Sequence, residues 1–144
     1  MSKLDEILQE FEGLDFRERL ELLLDFADNL PPLPDAYKSE RDAGLHRVPE
    51  CQTPVFLWVE RSNAHIQIHA DVAPEAPTVK GFVAILVEAL SGLTPDEVAE
   101  IPADIVNRMG LAQALGMTRL RGLNAIVHRL KNEVRKRAVA PRAE

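Results

Sequence analysis

The chain is 144 residues long, 46% hydrophobic and 28% charged, with a formal net charge of −6 at pH 7. That length suits one domain spanning residues 1–144, with enough apolar residues to fill a core. The negative charge argues against a nucleic-acid partner, which calls for clustered Lys and Arg, and no apolar run approaches the ~20 residues that cross a bilayer.

Residues 3–12 read as a short helix stopped near Gly13. Asp15 is a candidate N-cap for the next helix, with Glu18 at capping-box spacing. Phe16, Leu20, Leu23, Leu24 and Ala27 are expected on its buried face. Pro31-Pro32-Leu33-Pro34 ends that helix and opens a long connection. Val55-Phe56-Leu57-Trp58-Val59 is apolar on both faces and rich in β-formers, which predicts a central strand. A turn is expected at Ser62-Asn63, and the alternating 64–70 stretch then returns as the second strand of a hairpin, with Ile66 and Ile68 inward. Leu45-His46-Arg47-Val48 is expected to add an edge strand, for about three strands in all.

After the two-proline loop between Asp71 and Pro77, Thr78–Leu90 is apolar nearly all round and predicts a buried helix. Ser91-Gly92 breaks it. Thr94-Pro95-Asp96-Glu97 is a strong helix start, with a threonine cap, proline at the first position and Glu97 three residues on. Pro102 interrupts, and a short helix runs to Met109 before Gly110. The last helix is expected from about Thr118 to Arg137, with Leu123, Ile126, Val127, Leu130 and Val134 as its apolar stripe. Helices, a small antiparallel sheet and then more helices make an α+β fold. The N-terminal Met1-Ser2-Lys3-Leu4-Asp5-Glu6 lacks the order of a signal peptide, so a cytoplasmic location is expected.

Charge is unevenly spread. Residues 1–30 hold nine acidic and three basic side chains, whereas 119–137 hold seven Lys/Arg and one acid, Glu133. The pattern suits solvated helix faces, pairing of one end of the fold with the other, or steering of an acidic partner.

Cys51 is the only cysteine. It therefore has no disulfide, CxxC or Cys-rich zinc role, and any thiol chemistry needs a second molecule. It lies in the polar, turn-like Pro49-Glu50-Cys51-Gln52, as functional residues on loops often do. Glu50 nearby would raise the thiol pKa. His65 and His69 stand four apart on a strand, about 13 Å, too far to clasp one metal. A cysteine hydrolase would need His46, His65, His69 or His128 to meet Cys51. Gly110, Gly116 and Gly122 match no nucleotide-binding pattern, and Gly122 inside a helix is best explained by close approach of neighbouring backbone. Arg119 and Arg121 stand at a helix start, where the macrodipole disfavours cations.

Three segments carry a resemblance: Glu50-Cys51-Gln52-Thr53-Pro54-Val55-Phe56-Leu57, Asp71 through Val79-Lys80-Gly81-Phe82, and Leu115-Gly116-Met117-Thr118-Arg119-Leu120-Arg121-Gly122-Leu123. In order and spacing they resemble the SufE family of sulfur acceptors in iron–sulfur cluster assembly. The chain differs from that family's pattern at Glu50, where the family has glycine, and at Pro54, where it has glutamine. Its loop over residues 72–77 is longer and carries two prolines.

The resemblance implies that Cys51 accepts sulfur from a pyridoxal-phosphate cysteine desulfurase (SufS-like) and carries it as a persulfide to a scaffold complex (SufBCD-like), stimulating the desulfurase. The cofactor stays on that partner, and this chain needs none. The resemblance further implies an apolar pocket sheltering Cys51, walled by strand 55–59 and helix 78–90, and a loop that swings out on docking. Gln52, Asp71, Lys80 and Arg119 are the implied pocket or partner residues. Such a protein is an accessory in sulfur transfer rather than a free-standing enzyme, and a homodimer is left open. The alternatives are a desulfurase-binding regulator that takes no sulfur and an unrelated cysteine hydrolase.

Overall fold

The computed structural model describes residues 2–139. The elements run α1 (Lys3–Phe11), α2 (Phe16–Asp28), α3 (Lys38–Asp42), β1 (Val55–Ser62), β2 (His65–Val72), α4 (Pro77–Leu90), α5 (Pro95–Ala99), α6 (Ile105–Arg108) and α7 (Ala112–Val139), with a 3-10 turn at Asp35–Tyr37. Helices from both ends of the chain pack around an antiparallel hairpin, the α+β arrangement expected.

Local chemistry sets the helix starts. Asp15 and Glu18 exchange side-chain-to-backbone hydrogen bonds of 2.9 Å each at the head of α2, and Thr94 and Glu97 do the same at α5. Ser2 and Asp5 form a third such box at α1. Within the 31–48 connection, which reads as loop, the structure adds the 3-10 turn and α3.

β1 and β2 pair from Val55 opposite Val72 to Ser62 opposite His65. The turn is therefore Asn63-Ala64, one residue later than expected, with Asn63 at φ 57°. Asparagine tolerates the left-handed region that a tight hairpin turn demands. Among the described residues two strands form the sheet, not about three. The 45–48 stretch makes only an isolated bridge, Arg47 opposite Phe56. His46 at φ 65° and the turn after Val48 leave no run of extended backbone to lengthen it.

β1 is apolar on both faces because both are covered. Val55, Leu57 and Val59 join the main core, while Phe56 and Trp58 pack with Leu33 and Tyr37 from the 31–48 segment. That segment lies as a strap across the outside of the hairpin. The Trp58 indole N–H donates to Glu40 (2.8 Å), and the Tyr37 hydroxyl donates to Glu60.

α4 is the central helix, buried on nearly all sides as expected. α2 crosses it so closely that a β-carbon at Gly81 would lie 2.1 Å from the Leu23 carbonyl oxygen. This contact turns α2 so that Leu23 and Ala27 are buried, while Phe16 and Leu24 are 57% and 41% exposed. The expected five-residue face is thus narrower. In α7 the expected stripe of Leu123, Ile126, Val127, Leu130 and Val134 is buried throughout. Gly116 interrupts that helix with φ 79° and ψ 167°, a conformation open to glycine and costly for other residues. Among the described residues no ion pair joins the acidic N-terminal helices to the basic end of α7; Glu133 instead pairs with Lys136 and Arg137 on the same helix. No helix among the described residues is long and apolar enough to cross a membrane.

Candidate functional site

Cys51 sits at the tip of a loop pinned at its base. The Val48 N–H donates to the Val55 carbonyl (2.8 Å) and the Leu57 N–H to that of His46 (3.0 Å). Above this stem, the Cys51 N–H donates to the Val48 carbonyl (3.2 Å), closing a turn with Pro49 and Glu50 at its centre. Positive φ among the described non-glycine residues is confined to His46 and Asn63. Glu50 therefore keeps an ordinary φ, and the turn is not the type II form that would favour glycine there. Pro54 precedes β1 and removes no ladder donor, and its carbonyl accepts from the Ala73 N–H (3.1 Å).

The Cys51 side chain turns inward and is 7% exposed. Its thiol donates to the Gly122 carbonyl at 3.5 Å, a weak bond suited to sulfur. A β-carbon at Gly122 would approach that sulfur to 3.3 Å, so the glycine admits the thiol against α7. The close approach expected at Gly122 is made by the cysteine.

Beside the thiol lies a pocket of about 380 Å³, walled by Gln52 and Thr53 from the loop, Val79 from α4, and Leu115, Met117, Arg119 and Leu123 from α7. Helix α4 supplies a wall as expected. Strand β1 does not, because its inner face is spent on the main core; the kinked start of α7 takes its place. Met117 stands at the mouth, 69% exposed. The Arg119 guanidinium is held by a hydrogen bond from Nη1 to Thr78 Oγ1 (3.3 Å).

Of the expected site residues, Cys51, Gln52 and Arg119 come together. Asp71 and Lys80 do not line the pocket: Asp71 faces Phe56 across the hairpin and pairs with Arg41 (3.4 Å), and Lys80 lies one residue beyond Val79 on α4. Val79, Leu115 and Met117 carry no chemical signature in the sequence, and packing brings them to the pocket, while Thr78 joins the site through its contact with Arg119.

Burial pushes the Cys51 thiol up to about 11, Glu50 adds to that rise, and Arg47 opposes it. At neutral pH the resting thiol is protonated. Among the described residues no histidine lines the pocket. His46 packs at a tilt against Trp58 with ring centres 5.2 Å apart, His69 likewise against Tyr37 at 5.1 Å, and His128 hydrogen-bonds Asn132 at 3.0 Å. A Cys-His pair of the hydrolase kind is therefore not assembled here. Among the described residues no cluster of three or more His, Cys, Asp or Glu is placed to hold a metal ion.

A family model described as SufE, Fe-S metabolism associated domain, matches residues 5–134. A SufE-like protein of Mycobacterium tuberculosis is 35% identical over 133 residues, 92% of this chain and 91% of that protein. SufE-like protein 1, chloroplastic/mitochondrial, of Arabidopsis thaliana is 31% identical over 122 residues, covering 84% of this chain and 32% of its own. The solution structure of a hypothetical protein from Thermus thermophilus superposes with a TM-score of 0.80 at 35% identity, over 97% of this chain and 100% of that one.

Proposed function

This chain belongs to the SufE family, whose domain is associated with Fe–S metabolism, and on that footing we propose that it is a sulfur carrier working through Cys51. The Cys51 thiolate attacks the outer sulfur of a persulfide on a pyridoxal-phosphate cysteine desulfurase. The S–S bond of the donor breaks, the donor cysteine leaves as thiolate, and Cys51 becomes the persulfide. The exchange is sulfur transfer without net oxidation, governed by thiolate fraction, leaving group and access. Delivery to an iron–sulfur scaffold follows by the same chemistry. The accepted sulfur relieves the donor, which is how the protein would stimulate desulfurase turnover. The cytoplasm is the compartment we assign to this exchange.

The observation that carries this reading is the placement of the single thiol: buried, yet opening on a pocket with space beyond what its own sulfur fills. A persulfide there is sheltered from small thiols in solution. Gln52 and Arg119 line that space and are proposed to contact the transferred sulfur or the docked partner. Asp71 and Lys80 are proposed as outlying partner contacts.

One observation favours a second reading. A thiol held protonated up to about 11 suits an idle cysteine in a protein that regulates a desulfurase by binding alone. Incubation with a desulfurase and cysteine, then alkylation and weighing of intact protein and peptides, separates the two. One added sulfur on the Cys51 peptide, absent in Cys51→Ser, is expected. Equal stimulation by wild type and Cys51→Ser, with no sulfur gained, would replace carriage with regulation.

A further inference from the structure

Glu50 occupies the centre of the turn that ends on Cys51, is exposed, and joins no ion pair among the described residues. The other charges near the thiol are cations. Arg47 stands exposed on the same loop, and Arg119 from α7 lines the pocket with one nitrogen committed to Thr78. α4 contributes Val79 and no charged side chain to the lining.

A carboxylate beside a buried thiol opposes the thiolate that sulfur exchange requires. In the free protein this adds to the burial that already keeps Cys51 protonated. In a complex the same carboxylate becomes a handle, because an incoming cation can cancel it. We propose that Glu50 is a contact through which a docked partner activates Cys51: a Lys or Arg of the desulfurase pairs with Glu50 and so eases ionisation of the thiol. The inference rests on the carrier reading above. It specifies the partner's surface as cationic beside its persulfide-bearing cysteine, with an apolar seat for the exposed Met117 at the pocket mouth.

The test is the rate of Cys51 alkylation by iodoacetamide, read by mass between about pH 6.5 and 10. It compares wild type, Glu50→Gln and Glu50→Lys, each alone and with a desulfurase whose own catalytic cysteine is replaced by serine. Alone, Glu50→Gln is expected to react about three- to tenfold faster than wild type below the midpoint of its profile, since an adjacent charge in a wet loop is worth about 1 kcal/mol. The partner is expected to accelerate wild type, to accelerate Glu50→Gln severalfold less, and to bind Glu50→Lys weakly. A free Glu50→Gln rate equal to that of wild type overturns the proposal, as does equal acceleration of all three proteins or none of wild type. Sulfur uptake from the active desulfurase separates the two levels. If wild type gains sulfur while the Glu50 variants behave like it, this proposal falls and the carrier reading stands. If wild type gains none, both fall.

Discussion

The sulfur of Cys51 rests 3.5 Å from the carbonyl oxygen of Gly122, at a position of α7 where an added β-carbon would crowd it. Replacing Gly122 by alanine places a methyl group 3.3 Å from that sulfur, so the loop or the helix must yield by a few tenths of an ångström. The helix itself gains about 1 kcal/mol of propensity, which offsets much of the strain. Near-unchanged thermal stability is expected together with severalfold faster labelling of native Cys51 by a disulfide reagent. Unaltered labelling would show that the thiol is not held by this contact.

The raised thiol pKa has a consequence for stability against alkali. The folded value of about 11 exceeds the ordinary 9.0, so the native state holds this proton more tightly than the unfolded chain does. The resulting stabilisation is complete below pH 9 and disappears as pH climbs toward 11, with a slope of at most about 1.4 kcal/mol per pH unit. Urea unfolding of wild type and Cys51→Ser at several pH values should isolate it. The wild type is expected to lose stability over that window more steeply than the serine variant.

Thr78 is expected to act by positioning Arg119, whose Nη1 it accepts at 3.3 Å. Thr78→Val removes the acceptor and keeps the shape. On an exposed pair the stability change should stay within about 1 kcal/mol. Sulfur transfer from a desulfurase is expected to slow severalfold, and Thr78→Ser should restore it. A transfer rate indifferent to Thr78→Val would remove the threonine from the site.

Gly81 is expected to be the least tolerant glycine of the fold. Its missing β-carbon leaves room for the Leu23 carbonyl 2.1 Å from where that carbon would lie, and backbone cannot step aside as a side chain can. Gly81→Ala should destabilise by about 1–3 kcal/mol or more through forced separation of α2 and α4, measured by urea midpoint.

Much of this arrangement is written locally. The capping pairs Asp15/Glu18 and Thr94/Glu97, the apolar stripe of α7 and the alternating Ile66 and Ile68 each depend on neighbours a few residues away, and they fold as their spacing implies. What the sequence conceals is non-local. Phe16 and Leu24 share helical spacing with Leu23, yet the Gly81 contact decides which of them meets α4. Tyr37 and Leu33 read as loop until Phe56 and Trp58 need cover. The site divides the same way. Cys51, Gln52 and Arg119 are legible from motif and spacing, whereas Val79 comes to the pocket through the packing of α4 and Met117 stands next to the Gly116 kink within α7. Glu50 and Pro54, which depart from the family pattern, are accommodated without unusual φ at Glu50 or a lost ladder bond at Pro54.

The strap over the hairpin also determines what light can report. Trp58 is the sole tryptophan, and it is packed under Tyr37 and His46 with its N–H on Glu40, on the opposite side of β1 from the main core. Its emission is therefore a gauge of strap attachment and is blind to the sulfur pocket. A wavelength shift preceding loss of helical circular dichroism would mean the strap peels first, while the thiol remains enclosed.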